Sequence, residues 1–275
     1  MESLDVPGGR IAYRVSGEGP LVVLVHGMGD THRTFRHLIP RLAGHRVAAM
    51  DVRGYGASGT GWPGYGVDAI GSDVLALIRR LGGLATVIGH SIGCSSAVWA
   101  AAESPESVSG LGLIGTFSGE TRVKAWMRAA SWLVGRNAGL WGMFLRTSYP
   151  SARPDDFDAY LAELKAALRA PGGMVPLRAQ IALSLSGVEN RYAEVTQPSL
   201  LVMGGKDADF PDPAGDAART AAKLGGPATV RVIDGAGHYP HAEMPDQTAE
   251  ALLPFLATIT PPLATHHRND HAPTS

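Results

Sequence analysis

The sequence has 275 residues, of which 45% are hydrophobic and 18% charged, and its formal net charge is −1. This length and apolar content fit one large domain, or one domain carrying an insertion, and they exclude an intrinsically disordered chain. The balanced charge argues against nucleic acid as a partner.

The sequence predicts neither a targeting segment nor a membrane segment. Its first residues, MESLDVPGGR, contain neither the basic nor the apolar part of a signal peptide. No stretch approaches the roughly 18 uninterrupted apolar residues of a transmembrane helix. Cys94 is the single cysteine, so no internal disulfide can form. We therefore expect a cytoplasmic protein without membrane insertion.

Short apolar runs alternate with segments of helical periodicity along most of the chain. The runs predict an edge strand at 10–15 and buried strands at 21–26, 46–51, 84–89, 108–115, 198–205 and 228–234. The periodic segments predict helices at 32–44, 67–83, 92–103, 214–224 and 246–257. Strands alternating with helices predict an α/β fold, with a mostly parallel central sheet and helices on both faces.

The alternation stops between residues 116 and 191, where the patterns are helical and no convincing strand is found. One helix is predicted around 123–134 and another over 155–170, which begins with acidic residues as the helix dipole prefers. Because this segment is too long for a loop, we expect a helical lid inserted into one core formed by 1–115 and 192–260. The polar tail, 261–275, is expected to be disordered.

The run IGHSIG, residues 88–93, places Ser91 between two glycines at a predicted strand-to-helix junction. A sharp turn there forces the central residue into a strained backbone conformation, and flanking glycines leave room for the chain to reverse. The hydroxyl then stands at a helix N-terminus, where the dipole favours developing negative charge. An ordinary glycine-rich turn can have the same sequence pattern, but the strand–turn–helix context favours an activated nucleophile.

A nucleophilic serine needs a base and a group that orients the base. Asp207 follows the predicted strand 198–205, and His238 follows the strand 228–234. The order Ser…Asp…His is the one expected of a hydrolase whose serine lies on such a turn. Asp209 lies two residues after Asp207 and is the alternative acid.

Together these motifs resemble the α/β-hydrolase family with a helical lid, over about residues 10–258. The stretches HGMGD, DVRGYGASG, GHSIG, GGKD and GAGHYPHAEMPD follow one another in the family's order. The resemblance implies Ser91 as nucleophile, His238 as base and Asp207 as orienting acid. It also implies an oxyanion hole made by the backbone N–H groups of Met28 and Ile92.

The resemblance implies acyl transfer without a metal or organic cofactor. Relatives that open epoxides or displace halide carry aspartate where this chain has Ser91, so we expect cleavage of an ester, lactone or thioester. His238 and His241 form an H-x-x-H pattern, but Pro240 between them breaks helical geometry, so no metal site is expected.

Aromatic residues of the lid suggest a modest-sized, mainly apolar small-molecule substrate. The candidate substrate-binding residues are His26, His90, Trp126, Trp132 and Trp141. A carrier-bound or otherwise anionic substrate is an option because the first half of the lid is basic, with Arg122, Lys124, Arg128, Arg136, Arg146 and Arg153. Two other functions stay open: a triad enzyme with non-hydrolytic or C–C-cleaving chemistry, and a ligand receptor with little turnover.

Overall fold

The computed structural model describes residues 1–116, 131–184 and 186–259. The predicted substrate-binding residue Trp126 and the basic residues Arg122, Lys124 and Arg128 lie outside the described residues, as does the predicted tail, 261–275.

One sheet forms the centre of the described structure. Its strands are β1 (Glu2–Val6), β2 (Gly9–Ser16), β3 (Leu21–Val25), β4 (Arg46–Asp51), β5 (Ala85–His90), β6 (Val108–Ile114), β7 (Ser199–Gly204) and β8 (Ala228–Ile233). Their order across the sheet is β1-β2-β4-β3-β5-β6-β7-β8. The pairs β1–β2 and β2–β4 are antiparallel, and every other pair is parallel. The carboxyl ends of β3 to β8 therefore meet at one edge, where sites of such sheets gather.

The helices cover both faces of this sheet, which confirms the predicted α/β fold. They are α1 (Val67–Leu81), α2 (Ile92–Glu103), α3 (Ala138–Thr147), α4 (Phe157–Arg169), α5 (Met174–Ile181), α6 (Ser186–Glu189), α7 (Pro213–Ala221), α8 (Pro240–Glu243) and α9 (Pro245–Ile259). None of the described helices is both long and apolar enough to cross a membrane.

Alternate residues of β3 show how the core is divided. Val23 and Val25 belong to an apolar cluster with α1, α2 and α7, whereas Val22 and Leu24 belong to a second cluster with α9. Since successive side chains of a strand point to opposite faces, a continuous apolar run is what a strand covered on both sides requires.

Helices α3 to α6 lie between β6 and β7 in the chain, and we call residues 131–191 the insertion. A third apolar cluster joins the insertion to Tyr239 and Ala242, which adjoin the loop after β8. The side chain of Met28, from the loop after β3, packs against the same cluster. The insertion is therefore anchored at the carboxyl edge of the sheet. That it acts as a lid stays a prediction.

Two sequence predictions differ from the structure. The predicted helix 32–44 is instead a pair of 3₁₀ turns, His32–Phe35 and Ile39–Arg41. Pro40 explains the break, because it has no N–H for an α-helical hydrogen bond and its ring clashes with the preceding turn. The first strand, β1, was not predicted; it pairs antiparallel with β2 at the outer edge of the sheet.

A buried ion pair ties the loop after β4 to α1. Arg53 donates two hydrogen bonds of 2.7 Å to the carboxylate of Asp73. The guanidinium also lies 4.6 Å from the ring centroid of Trp62. Because the pair is shielded from solvent, loss of either partner would leave an uncompensated buried charge.

Candidate active site

Ser91 lies on a tight turn between β5 and α2. Its φ of 54° and ψ of −124° make it the one non-glycine residue of the described structure with positive φ. Such a conformation costs on the order of 1–3 kcal/mol and persists only where the surroundings impose it. A Cβ at Gly89 would lie 2.5 Å from the carbonyl oxygen of Gly93, and one at Gly93 would collide with the carbonyl oxygen of Val25. Both flanking positions therefore require glycine.

Hydrogen bonds hold the turn against the neighbouring strand. The backbone N–H of Ser91 donates to the carbonyl of Ile114 at 2.9 Å, at the end of β6. The thiol of Cys94 donates to the carbonyls of Gly89 and Ile114 at 3.2 and 3.3 Å. Burial raises the pKa of Cys94 to about 12, so it is a packed thiol and not a thiolate nucleophile.

His238 and Asp207 form a close pair on the loops that follow β8 and β7. His238 Nδ1 lies 2.7 Å from Asp207 Oδ2, and the backbone N–H of Asp209 donates to Asp207 Oδ1 at 3.0 Å. The carboxylate can only accept, so it selects the tautomer with hydrogen on Nδ1 and a lone pair on Nε2. Burial alone would lower the pKa of His238, but the charge and hydrogen bond of Asp207 outweigh it and raise the pKa.

Asp209 is the second carboxylate near His238. Its Oδ2 lies 3.6 Å from His238 Nδ1, beyond a good hydrogen bond. Burial and the neighbouring charge of Asp207 raise the pKa of Asp209, against the opposing effect of His238. Of the two candidate acids, Asp207 is thus the one that hydrogen-bonds the imidazole.

The hydrogen-bonded pair of His238 and Asp207 lies beside the turn that carries Ser91. A Cβ at Gly115 would come within 3.1 Å of the His238 ring, and Gly115 directly follows Ile114, which accepts the hydrogen bond from Ser91. Ser91 and His238 therefore flank the same short segment at the end of β6. The structure brings together the three residues of the predicted triad at the carboxyl edge of the sheet.

The loop 26–30, which we call the oxyanion loop after its predicted role, abuts Ser91 from the other side. A Cβ at Gly27 would lie 3.1 Å from the Cβ of Ser91, and Met28 is the next residue. Ile92 is the first residue of α2, so no carbonyl within that helix can accept its N–H. Both predicted oxyanion donors thus adjoin the hydroxyl-bearing residue.

The two histidines that were predicted to line the pocket form hydrogen bonds with backbone groups. His26 Nδ1 lies 2.7 Å from the carbonyl of Gly27, and the N–H of Val52 donates to His26 Nε2 at 2.9 Å. His90 Nε2 lies 2.9 Å from the carbonyl of His238. Burial lowers the pKa of both rings, so both are neutral. His26 has neither ring nitrogen available to a substrate, and His90 positions the loop of the candidate base.

The tryptophans of the insertion have different environments. Trp141 is buried against the oxyanion loop, since a Cβ at Gly29 would lie 2.5 Å from its indole ring. Trp132 is 56% exposed, and the guanidinium of Arg136 lies 4.0 Å from its ring centroid. The structure therefore brings Trp141 to the site but not Trp132.

Several polar residues at this edge were missed by sequence reasoning. Asp30 is buried at the end of the oxyanion loop and accepts hydrogen bonds from the hydroxyl of Tyr160 and the N–H of Thr31. The hydroxyl of Tyr55 donates to Gln180 Oε1 at 2.7 Å. In the sequence, the role of Asp30 was indicated by its position directly after the glycine-rich HGMG.

The positions of the histidine and carboxylate side chains bear on the prediction that there is no metal site. Within the described ranges, the group close enough to share an ion is Asp207, Asp209 and His238, whose ligand atoms lie within 4.8 Å of one another. The 2.7 Å contact between His238 and Asp207 already explains why these side chains converge. In the H-x-x-H pattern, His241 Nε2 lies 2.9 Å from Thr34 Oγ1.

Comparison with known proteins identifies the family. The model of the alpha/beta hydrolase family matches residues 22–251. The chain belongs to this family. A 2-(acetamidomethylene)succinate hydrolase of Mesorhizobium japonicum is 31% identical over 90% of this chain and 92% of its own length.

Solved structures agree with the fold. An epoxide hydrolase from an endophytic Streptomyces matches with a TM-score of 0.78 and 26% identity, over 94% of this chain and 95% of its own. Est816, described as an N-acyl homoserine lactone degrading enzyme, matches with a TM-score of 0.75 and 23% identity, over 92% and 100% of the two chains. The family and its named relatives support a hydrolase.

Proposed function

We propose that this protein is a serine hydrolase that cleaves an ester, lactone or thioester of a modest-sized substrate through an acyl-enzyme. The observation that carries the proposal is the strained, positive-φ Ser91 beside the hydrogen-bonded pair of His238 and Asp207. Strain of this kind is retained where exposure of a reactive group requires it.

The reaction follows from the tautomer of His238. With Nδ1–H held by Asp207, Nε2 takes the proton of Ser91 as its oxygen bonds to the acyl carbon. The negative charge that develops on the carbonyl oxygen is stabilised by the N–H groups of Met28 and Ile92. His238 then gives its proton to the departing alcohol or thiol, and water, activated by the same imidazole, releases the acid from Ser91.

The identity of the nucleophile favours acyl transfer among the reactions of the named relatives. The chain shares its fold with epoxide-opening relatives, but these relatives are expected to carry aspartate at the position of Ser91. The lactone-degrading description of Est816 and the hydrolase description of the Mesorhizobium relative are compatible with attack on an acyl carbon. A soluble small-molecule substrate fits this chemistry and requires no cofactor.

The test compares p-nitrophenyl esters from acetate to octanoate with wild type, Ser91→Ala and Ser96→Ala. Ser96 lies on the same helix, is buried, and its hydroxyl has no hydrogen-bond partner in the described structure, so its substitution is a matched control. We expect Ser91→Ala to lower kcat/KM by about 10³-fold or more and Ser96→Ala to change it by less than about threefold. A fluorophosphonate should label wild type at Ser91.

Ester hydrolysis that survives in Ser91→Ala would contradict the nucleophile. A wild-type protein that binds the esters, shown by a raised Tm, but does not turn them over would favour the ligand-receptor alternative.

A further inference from the structure

Two buried N–H donors near the oxyanion loop, Trp141 Nε1 and Gln180 Nε2, have no hydrogen-bond partner among the described residues. Each of the two residues is 3% exposed. Buried polar groups are nearly always paired, because an unpaired one loses its hydration without compensation. Two such donors point to a ligand that accepts hydrogen bonds.

The indole of Trp141 lies directly over the loop. Its Nε1 would be 2.6 Å from a Cβ at Gly29, whose φ of 68° is one that glycine adopts readily. Gly29 is one residue from Met28, the proposed oxyanion donor. The Trp141 N–H is therefore a hydrogen-bond donor beside Gly29, the residue next to the proposed oxyanion donor Met28.

The amide of Gln180 lies near the same loop through Tyr55. The Tyr55 ring meets the ring of His26, the first residue of the loop, edge-on with 5.6 Å between the ring centroids. The Tyr55 hydroxyl donates to Gln180 Oε1 at 2.7 Å. This arrangement fixes the amide with its NH₂ group, a second donor, turned away from Tyr55.

Asp30 restricts the charge of the ligand. It is buried at the end of the loop, where the Tyr160 hydroxyl and the N–H of Thr31 donate to its carboxylate. An anionic ligand beside this carboxylate would be repelled, which favours a neutral carbonyl.

We propose that Trp141 Nε1–H and Gln180 Nε2–H bind a second, neutral carbonyl oxygen of the substrate. Preferred substrates would then carry a ketone, amide or further ester carbonyl besides the one that Ser91 attacks. This proposal rests on the proposed function and narrows its substrate class. Both donors belong to the insertion, whereas the reacting groups belong to the core, so the insertion selects the substrate.

The test uses pairs of esters that differ by one carbonyl: p-nitrophenyl 4-oxopentanoate against pentanoate, and 5-oxohexanoate against hexanoate. Each kcat/KM is divided by the rate constant for hydroxide hydrolysis of the same ester, which removes differences in intrinsic reactivity. The variants are Trp141→Phe and Gln180→Met, which remove the N–H groups while keeping most of the apolar volume. Trp99→Phe, on the far part of α2, is the matched control.

We expect wild type to prefer at least one oxo ester by about tenfold or more, since sites built for a hydrogen bond discriminate strongly against ligands that lack it. Trp141→Phe and Gln180→Met should each lower the ratio of kcat/KM for that ester to kcat/KM for the plain ester by about 10-fold or more, whatever loss the two esters share. Trp99→Phe should keep the wild-type ratio.

Equal rates for both members of each pair in wild type, or equal losses on both esters in the variants, would overturn the proposal and leave the two side chains a packing role. A second measurement does not need turnover: 4-oxopentanamide should raise the Tm of Ser91→Ala more than pentanamide does, and Gln180→Met should abolish the difference. A failed serine mechanism is thereby distinguished from a failed carbonyl site.

Discussion

The two carboxylates beside His238 give a direct test of the proposed mechanism. Asp207 and Asp209 lie two residues apart on one loop, and each can be replaced by asparagine with little change in volume. Their geometry differs, because Asp207 lies at hydrogen-bond distance from His238 Nδ1 and Asp209 lies at 3.6 Å. The two substitutions should therefore have very different effects.

In Asp207→Asn, the amide can present its NH₂ group to Nδ1 and favour the tautomer with hydrogen on Nε2. That tautomer cannot accept the proton of Ser91. Loss of an equivalent carboxylate in a triad costs about 10⁴-fold in kcat, so we expect kcat/KM to fall by about 10³- to 10⁴-fold, or roughly 4 to 5.5 kcal/mol. Asp209→Asn removes only a charge that is partly solvated, and we expect less than about a tenfold change.

The pH dependence of kcat/KM separates the two roles. His238 acts as a base only when it is neutral, and Asp207 raises its pKa, so wild-type activity should rise as pH increases through a value above the ordinary 6.5 of histidine. Removal of the Asp209 charge lowers the pKa of His238, which moves this rise to lower pH while the plateau changes little. Asp207→Asn lowers the plateau itself.

The measurement is a set of kcat/KM values for one p-nitrophenyl ester from about pH 5 to about pH 9, with protein stability checked at each end. A nearly unchanged plateau in Asp207→Asn, together with a loss of about 10³-fold in Asp209→Asn, would refute the assignment and make Asp209 the orienting acid.

Three further outcomes follow from the packing. Asp73→Ala should lower the free energy of unfolding by about 3–5 kcal/mol in urea titrations, because Arg53 is left buried without its partner; no loss would mean that the pair is hydrated in solution. Gly29→Ala should lower the Tm and kcat/KM together, since its Cβ collides with Trp141 at a left-handed φ; an unchanged Tm would contradict that contact. Burial lowers the pKa of His241 to about 3, so its contribution to stability is complete above about pH 6.5 and is lost as pH falls, by about 1.4 kcal/mol per pH unit. His241→Gln should make the loss of stability between about pH 6.5 and about pH 5 less steep.

The parallel strands and the turn at Ser91 could be predicted because their causes are local. A run such as LVVLV in β3 is buried on both faces, and no other short structure accommodates it as well. Gly89 and Gly93 mark the turn because any side chain there would collide with backbone. The position of Asp207 and His238 after two strands was likewise enough to place them at one edge of the sheet.

The 3₁₀ turns in the predicted helix 32–44 show where periodicity was insufficient. Apolar residues at helical spacing are equally compatible with a chain that packs Phe35 and Leu38 against the sheet without continuous α-helical hydrogen bonds. Pro40 was the decisive local signal. The strand β1 could not be found by alternation, because an edge strand with mostly exposed residues carries little hydrophobic pattern.

Trp132 and Trp141 show why the substrate-contacting residues could not be ranked from the sequence. They are the same residue type nine positions apart in one insertion, and composition alone predicts the same role for both. Their environments depend on how the helices of the insertion meet the core, which is set by long-range packing.

The oxyanion loop illustrates a dependence that local sequence could not reveal. Its glycines would be expected to leave it pliable, and the loop itself contributes little apolar surface. Three helices of the insertion contact this loop or a residue beside it. Trp141 of α3 packs on Gly29, the Tyr160 hydroxyl of α4 donates to Asp30, and Gln180 of α5 accepts from the Tyr55 hydroxyl. Since an oxyanion hole works only when its donors are fixed before the charge develops, we expect these contacts to hold the proposed hole in place through residues more than a hundred positions later in the chain. The insertion would then contribute to the proposed catalytic apparatus, and a change that loosens it should lower kcat even where no residue touches the reacting atoms.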